Sequence, residues 1–171
     1  MLLDTKARPV ERSRVEEVNV PITTDADIIF ARQRARKLAS AADFTAVESA
    51  KITAVVSELA HNILQYAGRG EIVLSSIRQE DRRGVMVVAL DKGPGIPNVR
   101  NALQDGVSSN GGLGLGLPLV RRLMDEFEIA HHQDHGTTVI VKKWARGYAS
   151  GGEEACCDWF GDSMTGNNIS W

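Results

Sequence analysis

The chain carries two glycine-rich turns separated by a short polar stretch, Asp91-Lys92-Gly93-Pro94-Gly95-Ile96 and Gly111-Gly112-Leu113-Gly114-Leu115-Gly116-Leu117. Glycines at this density do not build helix or strand interiors, where each one costs backbone entropy. They mark places where the main chain must pass close to something. Phosphate is the commonest such ligand, because bare N–H groups at a helix start bind anions. The second turn opens a candidate helix and suits phosphate. The first carries an acid, which phosphate would repel, so Asp91 must face another part of the ligand. A nucleotide meets both demands, with its base at Asp91 and its phosphates at the later glycines.

The rest of the chain can supply a domain to hold such a site. Its 171 residues are about one domain's worth, enough to bury roughly two-thirds of the unfolded surface. A hydrophobic share of 43% and a charged share of 25% are those of a soluble globular protein. The net charge of -2 argues against a nucleic-acid binder. No apolar run approaches the ~18 residues that span a bilayer, and the first residues lack a signal-peptide core. The expected location is cytoplasmic, with no membrane and no nucleic-acid partner. Cys156 and Cys157 are adjacent, which suits neither a staple nor a four-ligand metal site. Incidental thiols are the plainer reading, and a redox or metal role is the alternative.

Periodicity gives the order of elements. Residues 13–22 partly alternate, with Val18, Val20 and Ile22 on one face, and predict a strand ending near Pro21. Thr23, Thr24 and Asp25 offer caps for a helix over 25–40, with Ile28, Ile29, Ala31, Ala35, Leu38 and Ala39 as its apolar stripe. Its basic cluster, Arg32, Arg34, Arg36 and Lys37, reads as a solvated face or as a docking surface. Asp43 is the expected cap of a second helix reaching about Ala67. Ala46, Val47, Ala50, Val55, Leu59 and Ile63 form its apolar face, and Gly68 and Gly70 stop it. Strands are expected over 71–77 and 85–90, with the turn in 78–84. A short helix over 98–103, a polar loop over 105–112 and a helix over about 115–127 come next. Pro118 falls in the first turn of that helix, where its missing N–H costs nothing. A hairpin of 128–132 and 137–144 closes the domain. Residues 146–171 read as a flexible tail, or as a segment that docks through Trp159, Phe160 and Trp171. The order predicts an α/β (α+β) two-layer sandwich, with a mixed, mostly antiparallel sheet and the helices on one face.

Glu58 and Asn62 stand four apart on the second helix and so share a face. They sit among Val55, Val56, Leu59 and Ile63, where a carboxylate and an amide are costly to bury without a task. The Asn oxygen is a hard ligand suited to Mg²⁺, and a Glu one turn away can take a proton from an attacking hydroxyl. Glu-x-x-x-Asn alone is common on solvated helices. Joined to Asp-x-Gly-x-Gly and the second glycine cluster, in this order, it becomes specific. Neither a Walker A loop nor a Rossmann fingerprint is present. His61 has no partner at metal spacing. His131, His132 and His135 read as a solvated hairpin, with a metal site as the alternative.

The segments ELAHN, DKGPGI, GGLGLGLPLV and HGTT resemble the N box, the two glycine boxes and the terminal Gly-Thr motif of the GHKL ATPase superfamily. More closely, residues 14–145 are similar to the small serine/threonine switch kinases of bacterial stress signalling, of the RsbT type, with the anti-sigma-factor kinases as cousins. The resemblance implies a Bergerat-type fold over 13–145, with 1–12 as an extension. It implies that Asn62 coordinates the Mg²⁺ on the phosphates of ATP and that Glu58 is the general base. Asp91 would bind the adenine amine, with Gly93, Gly95 and Ile96 passing the purine and Thr137 supporting the pocket. Gly111, Gly112, Leu113, Gly114, Leu115 and Gly116 would wrap the phosphates under a lid at 105–111. The implied activity is transfer of the ATP γ-phosphate to Ser or Thr of a STAS-domain protein, followed by activation of a PP2C-type phosphatase. The alternative is an anti-sigma factor or binding module in which ATP is a conformational ligand.

Overall fold

The computed structural model describes residues 16–96, 98–103, 116–132 and 136–146. Its elements run β1 (Glu17–Ile22), α1 (Asp25–Ala41), α2 (Ala46–Asn62), a π-helical turn (Ile63–Ala67), β2 (Gly70–Gln79), β3 (Arg82–Asp91), α3 (Val99–Ala102), α4 (Gly116–Leu123), β4 (Glu126–His132) and β5 (Gly136–Trp144). The order of strands and helices is the one periodicity predicts. The sheet has five strands in the order β1-β2-β3-β5-β4. Every pairing is antiparallel, so the expected mixture is absent among the described strands. Each neighbouring pair is a hairpin or reaches its partner across the helical layer, and no parallel crossover is needed.

Alternation aims one face of the sheet at the helices. Val20 and Ile22 of β1, Ile72 and Leu74 of β2, Val85 and Val87 of β3, and Val139 and Val141 of β5 are all buried. They form one cluster with Ile28, Ala31, Ala35 and Leu38 of α1 and with Ile52, Val55, Val56 and Leu59 of α2. At about 25 cal/mol per Å² of apolar area removed from water, this layer is the main force holding α1 and α2 to the sheet.

The helix starts explain themselves chemically. Before α1, the Asp27 carboxylate accepts hydrogen bonds from the amides of Thr23 and Thr24, at 2.9 and 2.8 Å, and from both hydroxyls. The start of α2 is a reciprocal capping box. The Glu48 amide donates to Thr45 Oγ1, and the Thr45 amide donates to Glu48 Oε2. Thr45, not Asp43, is therefore the cap. Asp43 takes a positive φ of 61° and pairs with Arg83 at 2.9 Å.

Other expectations are corrected by packing. Periodicity puts Ile29 and Val47 on buried stripes, yet they are 57% and 65% exposed. The continuous buried face of α2 begins only at Ile52. The β2–β3 turn shrinks to Glu80 and Asp81, because Gln79 pairs with Arg82. Gly84 lies within β3, where a Cβ would meet the Trp144 ring at 2.7 Å. Helix α4 stops at Leu123 instead of about 127. Asp125 there accepts the Trp144 amide and the Lys143 ammonium, at 2.8 and 2.7 Å, which turns the chain into β4.

Candidate functional site

Glu58 and Asn62 occupy the last turns of α2, and both are half-buried. Their partner is the first residue of α4. A Cβ built on Gly116 would lie 3.2 Å from Glu58 Oε2, and 3.5 and 3.6 Å from the Asn62 side-chain oxygen and nitrogen. The bare backbone that opens α4 thus faces the carboxylate and the amide directly. The first N–H groups of a helix lack intrahelical partners and carry partial positive charge. An anion held by that backbone would sit beside the hard oxygen of Asn62 and within reach of a base.

The second half of the site is the end of β3. Asp91 Oδ1 accepts the Gly93 amide at 2.8 Å and the Thr137 amide at 3.3 Å. Both bonds fall on one oxygen, and Oδ2 accepts nothing from a described residue. A carboxylate aligned by two main-chain donors on one oxygen can receive an exocyclic amine on the other. Register brings Thr137 there. Leu90 pairs with Thr138 across β3 and β5, so Asp91 and Thr137 meet at the end of that ladder. Gly93, Gly95 and Ile96 come directly after, with Gly95 at a φ of 76°.

The two halves are joined by the π-helical turn. Asn62 is the last α-helical residue before it. At its far end, a Cβ on Gly93 would lie 2.8 Å from the Cβ of Ala67. The five residues from Ile63 to Ala67 therefore span from the Glu58–Asn62 pair to the Asp91 turn. Single π-helical turns mark functional sites in many helices, because the slipped ladder re-aims the residues beyond it.

Sequence reasoning passed over two site elements. One is this slipped turn, for which the sequence carries no periodic signal. The other is the role of Gly136, the glycine of HGTT, whose motif the sequence shows without saying what the glycine does. It has a φ of 91°, and a Cβ on it would strike the Asp91 backbone. Gly111, Gly112, Leu113, Gly114 and Leu115 lie outside the described residues, as do the expected lid at 105–111, His135 and the cysteine pair. Residues 1–15 and 147–171 lie outside them too.

Among the described residues, no three His, Cys, Asp or Glu side chains cluster to hold a metal. His61 spends its Nδ1 on the Ser57 carbonyl oxygen at 2.8 Å. The donor set that remains at α2 is one amide oxygen beside one carboxylate. That fits Mg²⁺, which keeps several waters and takes its other ligands from a substrate's phosphates.

A helix face carrying Glu and Asn under a glycine-opened helix, with a pinned Asp at the end of the neighbouring strand, is an arrangement that fits an ATPase-type nucleotide site. Residues 23–143 match the family model described as the histidine kinase-like ATPase domain. The serine/threonine-protein kinase RsbT of Bacillus subtilis (strain 168) is 45% identical over 127 residues, which are 74% of this chain and 96% of that protein. The anti-sigma F factor of Clostridium beijerinckii is 28% identical over 119 residues, 67% of this chain and 83% of its own. Among solved structures, the mycobacterial sensor histidine kinase MprB aligns with 77% of this chain and 98% of its own at a TM-score of 0.49 and 19% identity. The chain belongs to the histidine kinase-like ATPase domain family and, within it, to the serine/threonine-protein kinases of the RsbT kind. No helix among the described residues is long and apolar enough to cross a membrane.

Proposed function

We propose that the protein is a cytoplasmic switch kinase that transfers the γ-phosphate of ATP to a Ser or Thr hydroxyl of a STAS-domain protein. The kinase then exchanges that partner for a PP2C-type phosphatase, which it activates. The observation that carries the reading is the nearness of Gly116 to Glu58 and Asn62, where a Cβ on the glycine would lie 3.2 Å from Glu58 Oε2 and 3.5 Å from the Asn62 oxygen. It supports the reading because a carboxylate, an amide and the start of a helix lie together, as a base, a hard oxygen ligand and an anion site would have to.

In this reading Asp91 Oδ2 accepts from the adenine amine, and Gly93, Gly95 and Ile96 line the purine. Gly111, Gly112, Leu113, Gly114, Leu115 and Gly116 offer main-chain N–H groups to the phosphates, and residues 105–111 close over them. Thr137 holds Asp91 through its amide. Asn62 holds Mg²⁺, which when bound spreads the charge of the phosphates. Glu58 takes the proton of the acceptor hydroxyl as that oxygen bonds to the γ-phosphorus. The bond from the γ-phosphorus to the β,γ-bridging oxygen breaks, and ADP leaves with its electron pair. Phosphoryl transfer needs little covalent help from a protein, so position and charge supply most of the rate.

The direct test mixes the chain with ATP, Mg²⁺ and a purified STAS-domain protein from the same organism, and reads phosphoserine or phosphothreonine by mass spectrometry. ATP binding without transfer sinks the kinase reading. A second reading has support in the similarity to an anti-sigma F factor. There the chain sequesters a sigma factor and ATP sets its conformation. Co-purification of a sigma factor in an ATP-dependent way distinguishes it.

A further inference from the structure

No described helix lies on the second face of the sheet. The strand residues that share the core with α1, α2 and α4 all lie on the first. An antiparallel sheet with one wet face reads as a clean alternation of apolar and polar residues. Strand β3 does not. Val85 to Leu90 is an unbroken apolar run, the pattern of a strand covered on both faces. Val85, Val87 and Ala89 belong to the core. Met86, Val88 and Leu90, which alternate with them, are neither in it nor packed against it. Register extends the bare patch sideways. Val88 stands opposite Val73 of β2 and Ile140 of β5, and neither of those joins the core. All five are half-buried. Polar residues bound the row, with Asn19 opposite Val73 and Glu128 opposite Ile140. An apolar patch inside a polar rim marks an interaction surface.

The chain leaves the sheet at the end of this face. Trp144, the last residue of β5, alternates onto the bare side with Ile140 and Lys142. It is buried, yet outside the core. The Arg82 guanidinium carbon lies 4.9 Å from its ring centroid, and its Nε1 donates to Glu126 Oε1 at 2.8 Å. The described residues end two positions later, at Arg146. The 25 residues beyond carry Tyr148, Trp159, Phe160 and Trp171, among them two of the chain's three tryptophans. Segments that stay in solvent are poor in aromatics. The same residues hold Glu153, Glu154, Asp158 and Asp162 and no Lys or Arg. Arg82, in no ion pair with a described residue, stands where these acids set out. The distances fit as well. Ile140 is four residues from Trp144 along β5, ~13 Å, and the patch spans three strands, ~10 Å. Trp159 comes fifteen residues after Trp144, up to ~50 Å of extended chain. A tether of this length holds its end at about millimolar effective concentration.

We propose that residues 147–171 fold back over the bare face of the sheet, with Trp159, Phe160 and Trp171 seated on Val73, Met86, Val88, Leu90 and Ile140. The segment is then the second cover that the apolar run of β3 calls for. It also closes the face to a second copy of the chain, because two such sheets packing face to face would compete for the same side chains. The inference is independent of the reaction proposed above.

The test uses the full chain. Chymotrypsin cuts after an aromatic residue only when that side chain enters its pocket, so cutting after Trp159 and Phe160 reads whether they are seated. A synthetic peptide of residues 147–171 gives the unprotected rate. The wild-type chain should be cut at least about tenfold more slowly than the peptide, because cutting follows the open population. Val88→Thr with Ile140→Thr keeps β-branched side chains in the strands and should bring the rate up to that of the peptide. A second measurement leaves the sheet untouched. Trp159→Ala with Phe160→Ala removes two rings, so methyl NMR should show the signals of Val73, Val88, Leu90 and Ile140 shifted. Those of Ile52 and Val55, buried on the other side of the sheet, should stay in place. Peptide-like cutting of the wild type overturns the proposal. So do methyl signals on the bare face that ignore the loss of both rings. A wild-type dimer in sedimentation that Val88→Thr with Ile140→Thr dissolves overturns it too, and gives the face to a second copy.

Discussion

Gly136 lies against the backbone that carries Asp91. A Cβ placed on Gly136 would come within 2.7 Å of the Asp91 carbonyl carbon and 2.8 Å of the Lys92 Cα. The closeness is what lets the next residue, Thr137, donate its amide to Asp91 Oδ1 at 3.3 Å. Gly136→Ala must therefore push β5 away from β3 at its end, and it must also hold a φ of 91° that L side chains rarely adopt. The expected cost is about 2–4 kcal/mol of stability, read by urea denaturation, with a matching loss of nucleotide affinity. Wild-type stability and affinity in this variant would show that the approach is dispensable.

Glu58 and Asn62 should separate chemistry from binding. Glu58→Gln keeps the shape and removes the proposed base, so phosphoryl transfer should fall by about 10²–10⁴-fold while ATP affinity holds. Asn62→Asp places a second carboxylate one turn from Glu58 and beside the phosphate path. It should abolish Mg²⁺-dependent ATP binding, measured by calorimetry with and without Mg²⁺. Normal Mg²⁺-ATP binding by the Asp variant would mean that Asn62 has been given the wrong role.

Gly116→Ala tests the space between the start of α4 and the Glu58–Asn62 pair, on which the proposed site depends. The added methyl would meet Glu58 Oε2 at 3.2 Å, closer than side chains usually stand. Alanine suits a helix better than glycine by up to about 1 kcal/mol, so stability should hold or rise slightly. Activity should fall at least tenfold, because the methyl occupies the space between the helix start and the Glu58–Asn62 pair. A fully active Ala variant would remove the helix start from the site.

The parts legible in the sequence are those with a strong period or a local chemical reason. Strand and helix order comes from apolar spacing, and Glu58, Asn62 and Asp91 stand out because polar groups beside apolar runs need a use. Spacing assigns the cap of α2 to Asp43, although Thr45 and Glu48 carry the signature of a reciprocal box. Two acceptors compete within three residues, and the distant Arg83 takes Asp43 away. Ile29 and Val47 are misplaced because an apolar residue at helical spacing reads as core whether or not anything covers it. The slipped turn at Ile63–Ala67 brings Ala67 against Gly93, an approach of distant residues that no local pattern encodes.

Acid should loosen the helical layer from its caps. The Thr23 amide, with the Thr23 hydroxyl and the Thr24 amide behind it, holds the Asp27 carboxyl down from 3.8 to about 2. A depressed folded value means that the cap's contribution is complete above about pH 4 and is lost as pH falls toward 2. Burial raises the Glu48 carboxyl, but the Thr45 amide and hydroxyl, with Arg146 and Lys143 nearby, outweigh it and leave Glu48 below the usual range. It therefore adds stability that is lost in the same direction. Thermal melts across acid pH should show the wild-type Tm dropping through this window. Asp27→Asn should start from a lower Tm at neutral pH and lose less of it on acidification, because the titrating cap is gone. Wild-type and variant Tm curves that stay parallel from about pH 7 to below about pH 3 would show that Asp27 contributes nothing to the acid limb.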